Sequence, residues 1–96
     1  MDLETIMMSV LADINAERER QNQKWGIQRH SYTEWLAILV EEVGEAAQAM
    51  QKGNICHKTT DANDLYKEVI QISAVAAAIA EQIREEQENA KTTNRR

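Results

Sequence analysis

The chain has no proline and no phenylalanine, and only three glycines and one cysteine in 96 residues. Without proline, nothing in the covalent backbone forces a helix to break, and the scarcity of glycine limits sharp turns. A lone Cys56 cannot form an internal disulfide, and no CxxC or Cys/His spacing suggests zinc. No apolar run approaches the roughly 18 residues of a membrane-spanning helix. Cations are outnumbered, with 11 Lys and Arg against 16 Asp and Glu, a net charge of −5 and a pI near 5.0. That balance argues against a general binder of nucleic acid or anionic membrane. It still admits a phosphate-bearing small molecule if cations mediate the contact. The opening Met1-Asp2-Leu3-Glu4 lacks the basic stretch of a signal peptide. The expectation is a soluble, cytoplasmic protein with no nucleic-acid and no membrane partner; a phage or plasmid origin would look the same.

What is abundant is Ala, Glu, Gln and Ile, with 43% hydrophobic and 28% charged residues. Such a composition favours helices joined by short links, in one small domain. The predicted fold is all-α, a helical domain over residues 1–90 followed by a polar tail over 91–96. Periodicity places helices over about residues 3–22, 32–52 and 62–88. The first carries Leu3, Met7, Val10, Leu11 and Ile14 on one face and then turns polar; Glu17 and Arg20 there support the helix. Residues 24–31 read as a connection, with Gly26 as a helix stop and Ser31-x-x-Glu34 as a capping box, Thr33 being the rival cap. Lys52-Gly53-Asn54 reads as the end of the second helix, and Thr59, Thr60, Asp61 or Asn63 can cap the third. That third helix is apolar nearly all round from Ile70 to Ala80. Two partners of this size would scarcely cover it, so a homodimer or homotetramer completing a four-helix-type core is expected.

Glu41-Glu42-Val43-Gly44-Glu45 interrupts the apolar pattern of the second helix. On a wheel, Leu36, Leu39, Val43, Ala46 and Met50 form one stripe, with Glu42 and Glu45 about 60° and 120° to one side of Leu39. Glu41 lies further out. On the third helix, Asp64, Glu68 and Gln71 form another polar line at a core edge, with Glu68 about 40° from Ile72. Acidic residues on a helix shoulder usually face water. Two antiparallel helices that oppose such lines, however, build an oxygen-rich site for Mg²⁺ or Mn²⁺. Lys24-Trp25 either plugs the end of the bundle or offers an aromatic platform with a cation for phosphate. By itself, His30 reads as a capping or loop residue. Cys56 has no base assigned to it and is no convincing nucleophile.

Glu41-Glu42-x-x-Glu45, a 22-residue spacer and Glu68-x-x-Gln71 together resemble the MazG-type, all-α nucleoside triphosphate pyrophosphohydrolases, whose pattern is EExxE then ExxD. Glu19-Arg20-Gln21-x-x-Lys24-Trp25-Gly26, His30-Ser31 before Glu34-Trp35-Leu36, and Glu68-Val69-x-Gln71-x-x-Ala74-Val75 resemble a short, phage-associated branch. The resemblance covers roughly residues 15–83 and implies oligomeric helical bundles. It also implies Mg²⁺-dependent cleavage of an NTP or dNTP between the α- and β-phosphates, giving a monophosphate and pyrophosphate. By position it makes Glu42, Glu45, Glu68 and Gln71 metal-site residues, with Glu41 activating the attacking water. It sets Lys24, Trp25 and His30 near the nucleotide. Gln71 stands where the pattern has Asp, one charge fewer, and Asp64 is a candidate to replace it. The alternative is a related protein with weak or no turnover that binds nucleotide or serves as a helical interaction module.

Overall fold

The structure, a computed structural model, describes residues 1–55 and 62–94, with side chains described within 1–51 and 65–92. Its elements are three helices: α1 (Leu3–Trp25), α2 (Tyr32–Ile55) and α3 (Ala62–Asn94), and no strand occurs among the described residues. Asp2 caps α1, its carboxylate accepting from the Thr5 N–H at 2.8 Å. Gly26 ends α1 at φ 75°, where its N–H reaches the Asn22 carbonyl at 2.9 Å. The α1 helix therefore includes Lys24 and Trp25, which the sequence had placed in the connection. Ser31 and Glu34 form the expected capping box: the Ser31 N–H donates to Glu34 Oε1 and the Glu34 N–H to Ser31 Oγ, each at 3.2 Å.

Both later helices outrun their sequence bounds. α2 continues through Gly53 to Ile55, because a glycine weakens a helix without obliging it to stop. α3 runs to Asn94 through most of the stretch read as a tail, because the good helix formers Glu85, Glu86, Gln87, Glu88, Ala90 and Lys91 carry the helix up to and into that stretch. Cys56 and the candidate caps Thr59, Thr60 and Asp61 lie outside the described residues, as do the side chains of Asn63 and Asp64.

α3 is the common floor. Both α1 and α2 pack on it, and among the described residues the two do not pack on each other. α2 runs antiparallel to α3, its start held at Glu85 and Glu86. α1 runs with α3, from an Asp13–Tyr66 contact to Arg18–Glu81. The buried face of α3 is Ile70, Ala74, Val75, Ala78 and Gln82, with Ala74 fully covered. Small side chains there let helices approach on two sides. Intrachain packing thus covers much of the surface that the sequence assigned to self-association.

The exposed apolar surface lies elsewhere. On α2, Trp35 and Ala46 are buried and Ile38, Leu39 and Ala49 half-buried, whereas Leu36, Val40, Val43 and Met50 are 46–60% exposed. The helix is turned so that Glu42, rather than Val43, faces α3. On α1, Leu3, Met7 and Leu11 are exposed and Val10 and Ile14 half-buried.

Gln82, buried in the core, fastens the α1–α2 link to α3. Its Oε1 accepts from Trp35 Nε1 at 2.7 Å and from the His30 N–H at 3.2 Å, while its Nε2 donates to the His30 carbonyl at 2.8 Å. Leucine at this position would strand the buried Trp35 Nε1–H, at a cost of about 1–3 kcal/mol, and would also free the part-buried His30 N–H and carbonyl. Gln82→Leu is expected to lower Tm by roughly 4–8 °C per kcal/mol lost. An unchanged melting curve would mean that this amide does not secure the link.

Candidate functional site

The antiparallel pairing of α2 and α3 brings one carboxylate oxygen each from Glu42, Glu45 and Glu68 to within 4.8 Å of one another. Glu42 and Glu45 stand one turn apart on α2, and Glu68 faces them from α3. Glu45 and Glu41 are exposed, whereas Glu42 and Glu68 are half-buried. Burial is the first cause that raises the Glu42 carboxyl above its ordinary pKa, followed by the charges of Glu45, Glu68, Glu41 and Glu17. Glu68 Oε2 is buried with no hydrogen-bond partner. A carboxylate oxygen without water or donor is costly to maintain. The donor set of hard, anionic oxygens from two helices fits Mg²⁺ or Mn²⁺.

Beside this cluster, where α1 and α2 diverge over α3, lies a cavity of about 180 Å³. Glu42 and Gln71 line it on the acidic side, Trp35, Ile38 and Val75 form apolar wall, and Trp25 lies at α1. Arg18, Gln21 and Asn22 form its polar wall. Arg18 is 9% exposed, and all three of its guanidinium nitrogens donate hydrogen bonds. Its guanidinium grips Glu81 in a two-pronged pair at 2.9 and 2.7 Å and donates to Gln21 Oε1 at 2.9 Å and Asn22 Oδ1 at 3.3 Å. The Arg18 guanidinium holds the Glu81 carboxyl below its usual pKa. Both amide oxygens are thus held by Arg18, and Gln21 Nε2 in turn donates to Glu17 at 3.2 Å.

The proposed nucleotide segment is divided by the fold. Trp25 is 52% exposed and lines the cavity, and Lys24 Nζ lies 4.7 Å from the centre of its ring. Arg20 approaches the same ring at 6.0 Å. His30 is placed differently: its backbone is tied to Gln82, and its ring meets Trp35 edge-on at 4.7 Å. It is not among the cavity-lining residues, and its Nε2 is buried without a partner. Glu41 lies outside the three-carboxylate cluster, although its charge reaches Glu42.

Arg18, Asn22 and Trp35 line the cavity but were not singled out from the sequence. Arg18 sits in a run of alternating charges typical of a solvated helix face. Its only sequence signal was a change from apolar to polar pattern after Ile14 on a helix that continues.

A scan against family models, a search of curated proteins and a search of solved structures each return no match to this chain.

Raising the folded-state pKa of Glu42 above 4.5 means that the native chain holds this proton more tightly than the unfolded chain. Stability contributed by this group is thus full below 4.5 and is lost as pH rises through the elevated folded value. Glu42→Gln should therefore raise the Tm of chelator-treated protein at neutral pH and leave it nearly unchanged near pH 4. A variant no more stable than wild type at neutral pH would show that the charge of Glu42 is not under strain.

Proposed function

We propose that this chain is a Mg²⁺-dependent nucleoside triphosphate pyrophosphohydrolase of the MazG type, converting an NTP or dNTP to its monophosphate and pyrophosphate. The observation that carries the proposal is the convergence of Glu42, Glu45 and Glu68, from two helices, around a buried and unpaired Glu68 oxygen. Those three would hold the cation. A bound Mg²⁺ supplies charge neutralisation at phosphate oxygens and lowers the pKa of a coordinated water. Glu41, exposed beside the cluster, takes up the proton of the attacking water. Lys24 reaches the phosphates, and the open part of the Trp25 ring supports the base at the cavity mouth. His30 secures the wall behind that cavity.

A second reading, a nucleotide-binding protein without turnover, draws on Gln71, a neutral amide where the motif has an acid. One assay separates the two. Pyrophosphate release from mixed NTPs and dNTPs with Mg²⁺ or Mn²⁺, abolished by chelator, supports the enzyme; thermal stabilisation by nucleotide without release supports the binding protein. Trp25→Ala is expected to weaken nucleotide binding by about 1–3 kcal/mol, the usual worth of one stacked base, while sparing cation binding. Equal nucleotide affinity in both proteins would reduce Trp25 to a packing residue.

The same proposal includes a homodimer or homotetramer. Its support is the exposed row Leu36, Val40, Val43 and Met50 on α2, with Leu3, Ile6, Met7 and Leu11 on α1. In sedimentation experiments, Val43→Glu should shift the mass toward monomer. A wild-type chain that sediments as a monomer at micromolar concentration rules out this assembly.

A further inference from the structure

Three polar side chains of α1 line the cavity, and their hydrogen bonds set one of them apart. Arg18 donates from all three guanidinium nitrogens, twice to Glu81 and once each to Gln21 Oε1 and Asn22 Oδ1. Gln21 is used at both ends, since its Nε2 donates to Glu17 at 3.2 Å. The indole N–H of Trp35, on the apolar wall, is committed to Gln82. Asn22 is used at one end only. Its Oδ1 accepts from Arg18 Nη2 at 3.3 Å, and its Nδ2 donates to no group among the described residues. Only the oxygen of an amide can accept from a guanidinium, so the Arg18 contact settles which end of Asn22 is which. It leaves a free amide donor on a half-buried side chain that lines the cavity. Asn22 also stands three residues before Trp25 on α1, on the same helix face, about 5–6 Å away between Cβ atoms.

We propose that Asn22 is a specificity-determining residue: its Nδ2 donates to a carbonyl on the edge of a base stacked at Trp25, so that the cavity selects a keto-edged base, through O4 of uracil or thymine or O6 of guanine, over an amino-edged one. The proposal rests on the nucleotide reading above and names its base class. Arg18 is the positioning residue for this amide. Its guanidinium is clamped by the two-pronged Glu81 pair and cannot turn from Asn22 without giving up hydrogen bonds. Cytosine or adenine would set an exocyclic N–H₂ against the Asn22 N–H₂. Rotating the Asn22 amide to offer its oxygen instead would face Nδ2 toward Arg18, donor against donor, at a guanidinium that is 9% exposed. That penalty discriminates as much as the hydrogen bond to the keto group does.

The test is calorimetric binding, with Mg²⁺, of α,β-methylene nucleotide analogues, which resist cleavage. The UTP analogue is compared with that of CTP, and the GTP analogue with that of ATP, so the two pairs also report ring size. Phosphate charge is equal within a pair, and the affinity ratio therefore isolates the base edge. Wild type is expected to favour the keto member of at least one pair about tenfold. Asn22→Asp keeps an oxygen for Arg18 and replaces the donor by an acceptor, so it should invert that ratio. Arg18→Lys keeps the charge but loses the fork that orients the amide, and should bring the ratio near one. Ratios near one for wild type in both pairs, or a keto preference that Asn22→Asp leaves unchanged, overturn the proposal. If Asn22→Asp inverts the ratio and Arg18→Lys keeps the wild-type value, Asn22 stands and the positioning role of Arg18 falls. Should Asn22→Asp fail to fold, Asn22→Leu, similar in size but lacking both amide ends, takes its place; a ratio near one then supports the proposal and the wild-type ratio overturns it. If no analogue binds wild type, the nucleotide reading falls and this proposal with it, whereas binding without a keto preference removes this proposal alone.

Discussion

Ala74, fully covered in the middle of α3, marks the constraint on which the rest of the chain depends. One helix must serve as packing surface for two others that do not pack on each other. Its central side chains are therefore small where helices approach, at Ala74 and Ala78, and larger at Ile70 and Val75 beside them. Gln82 then does with hydrogen bonds what a larger core would do with area: it locks Trp35 and the backbone of His30 to the same floor. The divergence of α1 from α2 leaves a cavity, and α3 carries Gln71 to its wall.

Charge is arranged in two contrasting ways around that floor. Along α1 and the far end of α3, acids and bases are paired: Arg18 with Glu81, Arg20 with Glu17, Arg29 with Glu85. Those ion pairs hold the Glu17, Glu81 and Glu85 carboxyls below their ordinary pKa values. At Glu42 the sign reverses, because burial and neighbouring carboxylates work together. Like charges gathered at a half-buried position, where Glu17, Glu81 and Glu85 are each paired with an arginine, single out this cluster as something other than a solvated helix face.

Much of this was readable from the sequence, and the gaps have physical causes. The three helices, the Gly26 stop and the Ser31–Glu34 cap follow from local chemistry, which neighbours rarely overrule. Helix ends were less legible: Gly53 is compatible with a helix, and the Glu- and Gln-rich stretch ending at Glu88 is helix-forming whether or not it packs, so that α3 propagates beyond it to Asn94. The wheel put Val43 in the buried stripe, whereas the fold turns Glu42 inward and leaves Val43 46% exposed. Hydropathy gives the position of an apolar arc but not which part of it meets the neighbour within the chain. The Glu42–Glu45–Glu68 cluster was legible because two acidic spacings of one turn sit on helices that must pair. The roles of Arg18 and Asn22 were not, since each depends on the angle at which α1 crosses α3.

The separate seating of α1 and α2 on α3 has a consequence for how such a protein can diversify. The three clustered carboxylates belong to the α2–α3 interface alone, whereas Arg18, Gln21, Asn22 and Trp25, which shape the cavity, belong to α1. Changes on α1 can alter the width and hydrogen-bonding pattern of the cavity while the acidic cluster keeps its geometry. The shape of the cavity and the acidic cluster are in this sense separable, held through different helix contacts, with Glu42 and Gln71 lining the cavity on the side of the cluster.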